Sequence, residues 1–279
     1  MGQFVDQVVF ACQINLMVKY EEHLDAVFTA LAHPARRAML SWKPISEKCS
    51  PEGLRPLEVS NMSLALYGHP FSSYTQKVLI ALYENELPFE FRCIGPDTPQ
   101  HVAEWLRRWP LAKFPLLLDG ERQVLETSII IEHLQLNHPG QLRLLPENPA
   151  ALDVRFLDRF FDLHVMSPVQ HAVSGALTGV PEKRKEALEF AQAKLELAYA
   201  WLEKQLAGRD WANGKDFTLA DCAAAPSLFY ADWTHRIAET YPVLRAYRAR
   251  LLARPSFARA VEEARPYRAL FPLGAPDRD

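Results

Sequence analysis

Between residues 64 and 138, apolar segments of strand length alternate with apolar segments of helix length, and this alternation is the strongest constraint on the fold. The helix-length segments repeat their apolar residues every three to four positions, whereas the strand-length segments are short and end at glycine or proline. The predicted elements, in order, are a strand over 64–67, a helix through Val78 and Leu82, a strand over 89–93, a helix over 99–109, a hairpin over 115–125 and a helix over 127–138. This β-α-β-α-β-β-α order predicts a small α/β layer, in which the first crossover joins parallel strands and the last two strands pair antiparallel.

From residue 150 onward the pattern is helical only. Pro139, Pro146 and Pro149 mark a linker before it. Segments with apolar residues at helical spacing then follow at 151–165, 182–206, 219–233, 241–252 and 256–263. Thr218 and Asp221 fit a capping box at the start of the third segment. The fold class is therefore predicted to be α/β plus all-α, with a small α/β domain followed by a helical bundle.

The charge balance excludes several classes of partner. The 279 residues include 31 basic and 34 acidic side chains, which gives a net charge of −3. No global basic field therefore favours nucleic acid or an anionic membrane surface. No apolar run approaches the roughly 18 to 20 residues that span a bilayer. With 49% hydrophobic residues, the chain is predicted to form two compact domains whose partner is a small molecule or another protein.

The cysteines and histidines show neither a disulfide pattern nor metal-ligand spacing. The cysteines, none of which belongs to a C-x-x-C pair, are Cys12, Cys49, Cys93 and Cys222. The histidines that we predict to be surface or capping residues are His69, His101, His133 and His171. We therefore expect a reducing, cytoplasmic location and no metal.

Residues 1–61 differ in character from the rest. The amphipathic segment 24–40 resembles the opening helices of winged-helix repressors of the arsenic-responsive type, but a proline-rich stretch over 44–61 follows it instead of a recognition helix and wing. We expect a helical and proline-rich extension that does not bind DNA, with Met62 as the natural beginning of the working protein. The predicted organisation is an extension over 1–61, a domain over 62–142 and a helical domain over 150–275.

The junction between the first strand and the first helix carries the strongest chemical signal. Gly68 and Pro70 break the strand, and the hydroxyl-bearing residues after the break are Ser72, Ser73, Tyr74 and Thr75. These residues stand where the first helical N–H groups lack partners and where the helix dipole favours a negative ligand. Such a turn is suited to holding an anion or a thiolate.

Three segments together resemble the soluble glutathione transferase family over nearly the whole of 62–275. Residues 66–82 are similar to the strand, turn and first helix that hold the catalytic residue of the family. Residues 113–120 and 125–134 are similar to its x-Pro strand, turn and Glu-Ser helix start, and 211–226 are similar to the capped central helix of its second domain. The resemblance is to the bacterial serine-type members. It implies a thioredoxin-like domain followed by an all-helical domain.

The resemblance implies where glutathione binds. In this family the bond before the strand proline is cis, which turns the preceding backbone outward to pair with the peptide of glutathione. Phe114, Pro115 and the neighbouring Lys113 are therefore expected binding residues. Glu126 and Thr127 open a helix, so a carboxylate, a hydroxyl and unpaired N–H groups meet where the γ-glutamyl end of glutathione would lie.

The resemblance also implies the catalytic group. In the serine-type and cysteine-type classes the active residue lies six positions before the Val or Ile of the first helix, and counting back from Val78 gives Ser72. Ser73 is the adjacent hydroxyl, and Tyr67 lies near the position used by tyrosine-type classes, so both stay candidates, with Tyr74 ranked after them. The residues expected to line the electrophile pocket are Phe71, Tyr74, Phe160 and His164.

The implied activity is activation of the glutathione thiol as a thiolate, which then attacks a small hydrophobic electrophile. A thiol with a free pKa of about 8.5 shifts toward thiolate when a hydroxyl donates to it at a helix N-terminus. Two alternatives stay open because a fold does not fix a function. One is another glutathione-dependent enzyme, such as an isomerase, dehalogenase or peroxidase, and the other is a non-catalytic binding protein. Family members are usually two-fold dimers, so a homodimer is expected.

Overall fold

The computed structural model describes residues 64–279. Within that part of the chain the strands are β1 (Leu64–Gly68), β2 (Glu90–Cys93), β3 (Leu116–Asp119) and β4 (Arg122–Val124). They form one sheet in the order β2-β1-β3-β4, in which β1 runs parallel to β2 and antiparallel to β3, and β3 pairs antiparallel with β4. The predicted crossover and hairpin are confirmed. The predictions for residues 1–61 and for Met62 lie outside the described residues.

Helices cover both faces of this sheet. The helices of the first half are α1 (Ser73–Glu84), α2 (Pro99–Arg108) and α3 (Thr127–Asn137). Successive residues of β1 point to opposite faces, so Leu66 joins the core beneath α1 and α3, whereas Tyr67 joins a second core beneath α2. Trp105 of α2 is fully buried in that second core, and its indole N–H donates to the carbonyl oxygen of Lys113 at 2.9 Å. The result is the thioredoxin-like layer that the sequence predicted.

The rest of the described chain is helical. Its helices are α4 (Ala150–Phe160), α5 (Ser167–Leu177), α6 (Pro181–Gln205), α7 (Leu219–Thr234), α8 (Pro242–Ala253) and α9 (Pro255–Ala264), with π-helical turns over Phe161–Met166 and a 3₁₀ helix over Arg265–Leu270. The sequence prediction ended the first of these helices at residue 165, and this end is wrong. The helix continues through the π-helical turns into α5, and these turns, whose hydrogen bonds depart from the α-helical pattern, directly precede Pro168.

Helix α7 lies at the centre of the second half, and every one of its residues is buried. The predicted capping box is present: the Asp221 carboxylate accepts from the backbone N–H of Thr218 at 2.8 Å. The same carboxylate accepts from the N–H of Ala212 at 2.8 Å and from the hydroxyl of Tyr247 at 2.7 Å. A fully buried charge is costly unless it is hydrogen-bonded, so these bonds explain how Asp221 can occupy the core.

The two halves share one continuous apolar core. Val78 and Leu82 of α1, Val154 of α4 and Leu228 of α7 all belong to the same buried cluster. Helices α7 and α9 both pack directly on α1. Among residues 64–279, no helix is both long enough and apolar enough to span a membrane. The geometry of α1 is therefore fixed by the sheet on one side and by the helical half on the other.

Candidate active site

Hydrogen bonds within the chain build the turn between β1 and α1. Ser72 is the N-cap of α1, and its hydroxyl oxygen accepts from the N–H of Thr75 at 3.2 Å, as serine commonly does at this position. The N–H of Phe71 donates to Nδ1 of His69 at 3.2 Å. Burial lowers the pKa of His69 to about 4, so the ring is neutral near pH 7 and Nδ1 can accept this bond.

The turn also depends on a close approach between β1 and α1 at Gly68. A β-carbon at this position would lie 2.6 Å from both Oγ1 and Cγ2 of Thr75. Real β-carbons do not approach other atoms so closely, so the absence of a side chain at Gly68 lets the first turn of α1 pack against the end of the strand.

Tyr230 of the helical half forms hydrogen bonds that hold this turn in place. The hydroxyl of Tyr230 in α7 donates to the carbonyl oxygen of Phe71 at 2.9 Å. The side-chain amide of Gln76 in α1 donates to the Tyr230 hydroxyl at 3.2 Å and to the carbonyl oxygen of Pro70 at 3.0 Å. We name these three residues, Phe71, Gln76 and Tyr230, the neutral tie. It fixes the backbone just before Ser72 from the second half of the chain.

A cavity of about 620 Å³ opens between the start of α3 and helix α4. Its wall combines residues that the sequence places far apart. The sequence-predicted site residues that line it are Tyr74, Lys113, Phe114, Pro115, Glu126 and Thr127. The predicted glutathione-binding residues are thus brought together around one space of a size that accommodates a small ligand.

Two backbone features shape the wall of this cavity. The Phe114–Pro115 peptide bond is cis, as the resemblance implied. Glu126, the N-cap of α3, has a φ of 66°, a left-handed value that is uncommon outside glycine. Such strained residues cluster at ligand sites, where the surrounding structure holds them in place. Residues Thr127 to Ile129, whose N–H groups open α3 without partners inside the helix, also lie along the cavity.

A buried cluster of charges lies at the inner edge of the cavity and joins the two halves of the chain. Lys77 of α1 is 1% exposed, and its ammonium lies 2.6 Å from the carboxylate of Asp158 and 2.8 Å from that of Asp162. The hydroxyl of Ser128 accepts from Lys77 at 3.1 Å and donates to Asp158 at 2.6 Å. Ser128, Asp158 and Asp162 line the cavity. We name these four residues the charged tie.

The charged tie keeps the Lys77 ammonium protonated, although burial disfavours a charged group. Burial alone would lower the pKa of Lys77, but Asp162 and Asp158 outweigh it, and the net effect raises that pKa. Burial also raises the pKa of Asp162 against the opposing effect of Lys77. With both aspartates ionised, the cluster carries one more negative than positive charge at the cavity wall.

Sequence reasoning missed the charged tie. A signal for it was present, since Gln76 and Lys77 directly precede the apolar run 78–82 of the same helix, and Asp158 and Asp162 stand four residues apart, on one helical face. No local pattern connects residue 77 with residue 158, however. Their contact arises only when α1 and α4 pack together.

Several predicted site residues do not line this cavity in the described part of the chain. Ser72 and Ser73, at the start of α1, are 2% and 5% exposed and lie next to Tyr74, which does line it. Tyr67 is fully buried beneath α2, where its hydroxyl accepts from Arg92 at 2.5 Å. Phe71, expected in the electrophile pocket, packs instead against Tyr230 in the shared core, with ring centroids 5.4 Å apart. The expectation for Phe71 is therefore corrected.

Phe160 and His164 lie at a second cavity of about 620 Å³, between the α4–α5 helix and α6. Phe160 stacks on Trp201 of α6 with ring centroids 4.2 Å apart, and its ring lies 5.1 Å from that of His164. Leu163 lines both cavities. Phe160 and His164 are therefore adjacent to the first cavity and do not line it, whereas Tyr74 does.

Comparison with known proteins identifies the family. Residues 66–142 match the family of the glutathione S-transferase N-terminal domain, and residues 185–250 match that of the glutathione S-transferase C-terminal domain. A probable maleylacetoacetate isomerase of Vibrio cholerae is 30% identical over 214 residues, which cover 74% of this chain and 98% of that protein. The glutathione S-transferase GstB of Escherichia coli is 30% identical over 213 residues, covering 71% of this chain and 97% of its own length.

Solved structures show the same fold. A glutathione transferase family member from Pseudomonas fluorescens, with two glutathione molecules bound, superposes with a TM-score of 0.64 at 24% identity, over 74% of this chain and 95% of that one. The β-etherase LigF of a Sphingobium strain superposes with a TM-score of 0.60 at 23% identity, over 72% of this chain and 100% of that one. These matches span both halves of the fold, and the chain belongs to the glutathione S-transferase family.

Proposed function

We propose that this protein is a glutathione transferase that binds glutathione in the first cavity and activates its thiol for attack on a small hydrophobic electrophile. The observation that carries the proposal is the convergence of Lys113, Phe114, Pro115, Glu126 and Thr127 on one cavity. In this assignment, residues 62–142 form the glutathione-binding domain, and residues 150–275 form the helical domain beside the electrophile.

The charged and polar groups of the cavity indicate which end of glutathione lies where. The γ-glutamyl end carries an ammonium and a carboxylate. The N–H groups at the start of α3 suit the carboxylate, and the carboxyl groups of Asp158 and Asp162 at the cavity wall suit the ammonium. The Lys113 ammonium can attract the other carboxylate of the tripeptide, at the glycyl end.

Ser72 is the hydroxyl that we assign to the thiol. A serine hydroxyl both accepts and donates, so the bond that Ser72 accepts from Thr75 is compatible with donation to a thiolate. The N-terminus of α1 adds a favourable dipole at this position. Tyr74 is the rival donor, since it lines the cavity and burial raises the pKa of its phenol, which keeps its proton available. Ser73 and Tyr67 rank after these two.

Calorimetric titration with glutathione, together with turnover of a panel of electrophiles, tests this assignment. Ser72→Ala should lower kcat by a hundredfold or more while glutathione still binds, because the removed hydroxyl stabilises the thiolate. Ser73→Ala is the matched control and should keep near-normal turnover. If Tyr74→Phe abolishes turnover and Ser72→Ala does not, the thiol donor is Tyr74. Failure of the wild-type protein to bind glutathione would overturn the whole proposal.

A second candidate is a glutathione-dependent isomerase, which the relative named as a probable maleylacetoacetate isomerase favours. In such a reaction the thiolate adds to the substrate and later leaves, so the product carries no glutathionyl group. Mass spectrometry of the products separates the two candidates: an added glutathionyl mass indicates transfer, and an unchanged substrate mass with an altered spectrum indicates isomerisation. Dehalogenase or peroxidase activity would appear as released halide or as oxidised glutathione. Glutathione binding without turnover would indicate a non-catalytic binding protein.

We also propose that the protein is a homodimer located in the cytoplasm. Large apolar side chains are exposed on α3 and α4, and a second copy of the chain would cover them. They are Ile129 at 54%, Leu136 at 78%, Leu152 at 70% and Phe156 at 54% exposure. Light scattering should give twice the chain mass, and Leu152→Glu should give a monomer if these helices form the interface. The free thiols of Cys93 and Cys222 support a reducing location.

A further inference from the structure

Two histidines and one aspartate meet at the opposite end of α3 from the first cavity. Nε2 of His133 lies 2.9 Å from Oδ2 of Asp119, and Nε2 of His138 lies 2.7 Å from the same oxygen. One potential ligand atom from each of the three residues lies within 4.8 Å of the other two. The sequence prediction placed His133 at the surface or at a helix cap, but its side chain is 5% exposed.

The three residues come from two rigid elements. Asp119 is the last residue of β3 and pairs with Arg122 across the hairpin and with Leu64 of β1. His133 lies in the last turns of α3, and His138 is the C-cap of that helix. The sheet and the helix therefore hold the three side chains in place before any ligand arrives, which is the arrangement that lowers the cost of binding.

The distances are close to those of a metal site. A tetrahedral Zn²⁺ with bonds of about 2.0 to 2.1 Å holds its ligand atoms roughly 3.3 Å apart. The present N···O distances are 2.9 and 2.7 Å, so the side chains must separate by about half an ångström to admit an ion. His138 is 24% exposed and Asp119 is 18% exposed, and this side of the cluster gives an ion a path from solvent and a place for a water ligand.

The outer contacts of His133 fit the same role. Its Nδ1 lies 3.0 Å from the side-chain nitrogen of Asn137. When Nε2 of His133 gives up its proton to bind a metal, Nδ1 carries the remaining proton and needs an acceptor. In the structure Nδ2 of Asn137 also donates to the carbonyl oxygen of His133 at 2.9 Å, so the Asn137 side chain must rotate away from that carbonyl before its own oxygen can accept from Nδ1. Metal-bound histidines nearly always donate their second ring N–H to such a partner.

We propose that Asp119, His133 and His138 form a binding site for a divalent transition metal of the Zn²⁺ type, with water as the fourth ligand. Binding releases any proton carried by the two Nε2 atoms to solvent and leaves both imidazoles neutral. The ion would join the β3–β4 hairpin to the end of α3. Helix α3 has 11 residues, and at 1.5 Å per residue its length separates this site from Thr127. The expected effect is therefore on stability, with turnover unchanged.

Titration of the full-length protein with Co²⁺ tests the proposal. The protein carries no polyhistidine tag, is stripped with a chelator and is kept free of glutathione, which itself binds metals. We expect one equivalent of Co²⁺ to give the visible absorption of a tetrahedral site, and Zn²⁺ to displace it. Saturating Zn²⁺ should raise the melting temperature by several degrees, since binding to the folded state alone stabilises it.

Matched variants show whether these three residues hold the ion. Asp119→Asn and His138→Gln keep the shape of the side chains and should abolish the Co²⁺ spectrum and the thermal shift. His235→Gln is the control, because His235 forms a similar 2.9 Å pair with Glu196 but has no second histidine. Circular dichroism without metal checks that each variant folds. Absence of the Co²⁺ spectrum in the wild-type protein, or its retention in both site variants, would overturn the proposal.

Discussion

The neutral tie and the charged tie use adjacent residues of α1, Gln76 and Lys77, to reach the helical half in two different ways. The neutral tie ends on backbone: Tyr230 and Gln76 bind the carbonyl oxygens of Phe71 and Pro70. The charged tie ends on side chains that line the cavity. The first therefore fixes the position of the turn that carries Ser72, and the second fixes the charge at the cavity wall. Variants that disrupt one tie or the other should therefore differ in how they change stability, kcat and glutathione affinity.

The largest effect is expected from Lys77→Met, which leaves Asp158 and Asp162 buried without their counter-ion. Removing one partner of a buried ion pair costs about 3 to 5 kcal/mol, and urea denaturation should show a loss of this size in the free energy of unfolding. The triple variant Lys77→Met, Asp158→Asn, Asp162→Asn removes the unpaired charges and should recover much of the loss. If Lys77→Met alone is as stable as the wild type, the charged tie does not stabilise the fold.

The second largest effect is expected at acid pH from His69, whose Nδ1 accepts from the N–H of Phe71 beside the neutral tie. Burial lowers its pKa from 6.5 to about 4, so between these values the unfolded chain binds more protons than the folded chain, and stability falls as the pH falls. Above about pH 6.5 the His69 ring is neutral in both states and does not lower the free energy of unfolding, which decreases as the pH falls from there toward 4. The decrease amounts to about 2 kcal/mol between pH 7 and pH 5. Denaturation curves of His69→Gln should show a smaller drop over this range, and an unchanged drop would contradict the prediction.

Tyr230→Phe tests the neutral tie directly. The change removes the donor to the carbonyl oxygen of Phe71 and the acceptor for Gln76, and it should cost about 1.5 kcal/mol because buried polar groups lose their partners. Since the backbone before Ser72 is released, kcat should fall more than glutathione affinity does. The comparison is with Lys77→Met, which alters the charge at the cavity wall and should therefore change affinity as well. Equal losses of affinity in both variants would erase the distinction between the two ties.

The smallest effect is expected for an exposed pair that also joins the two halves. Arg155 of α4 contacts Glu132 of α3 at 2.7 Å, but the two side chains are 44% and 24% exposed. Solvent screens such pairs, so Glu132→Gln should change the free energy of unfolding by about 0.5 kcal/mol or less. A loss comparable to that of Lys77→Met would mean that burial is not what separates the two kinds of ion pair.

Most of the fold could be predicted from local patterns. The β-α-β-α-β-β-α order, the hairpin at Asp119 and Gly120, and the capped start of α7 at Thr218 each depend on residues close together in sequence. The continuation of the helix beyond residue 165 was not predicted; it runs through π-helical turns that accommodate Pro168.

The parts of the site that short local segments form could be predicted from the sequence. The parts that form by contact between distant segments could not. Residues 113–115 and 126–127 carry their own signals, and they line one cavity. The contact of Lys77 with Asp158, the burial of His133 beside Asp119 and the placement of Phe71 against Tyr230 join residues 14 to 159 positions apart. In the sequence alone, nothing distinguishes these side chains from ordinary surface or core residues, because their contacts form only when the helices and strands pack together.

The complete burial of α7 has a consequence for motion. Its amide protons cannot meet solvent unless the helices around it separate, and α1 is one of those helices. Hydrogen exchange in α7 should therefore proceed only through opening of the whole molecule, at the same rate as in α1. The two halves differ in architecture, but in this respect they form one cooperative unit. A chain cut between them should lose the protection of both.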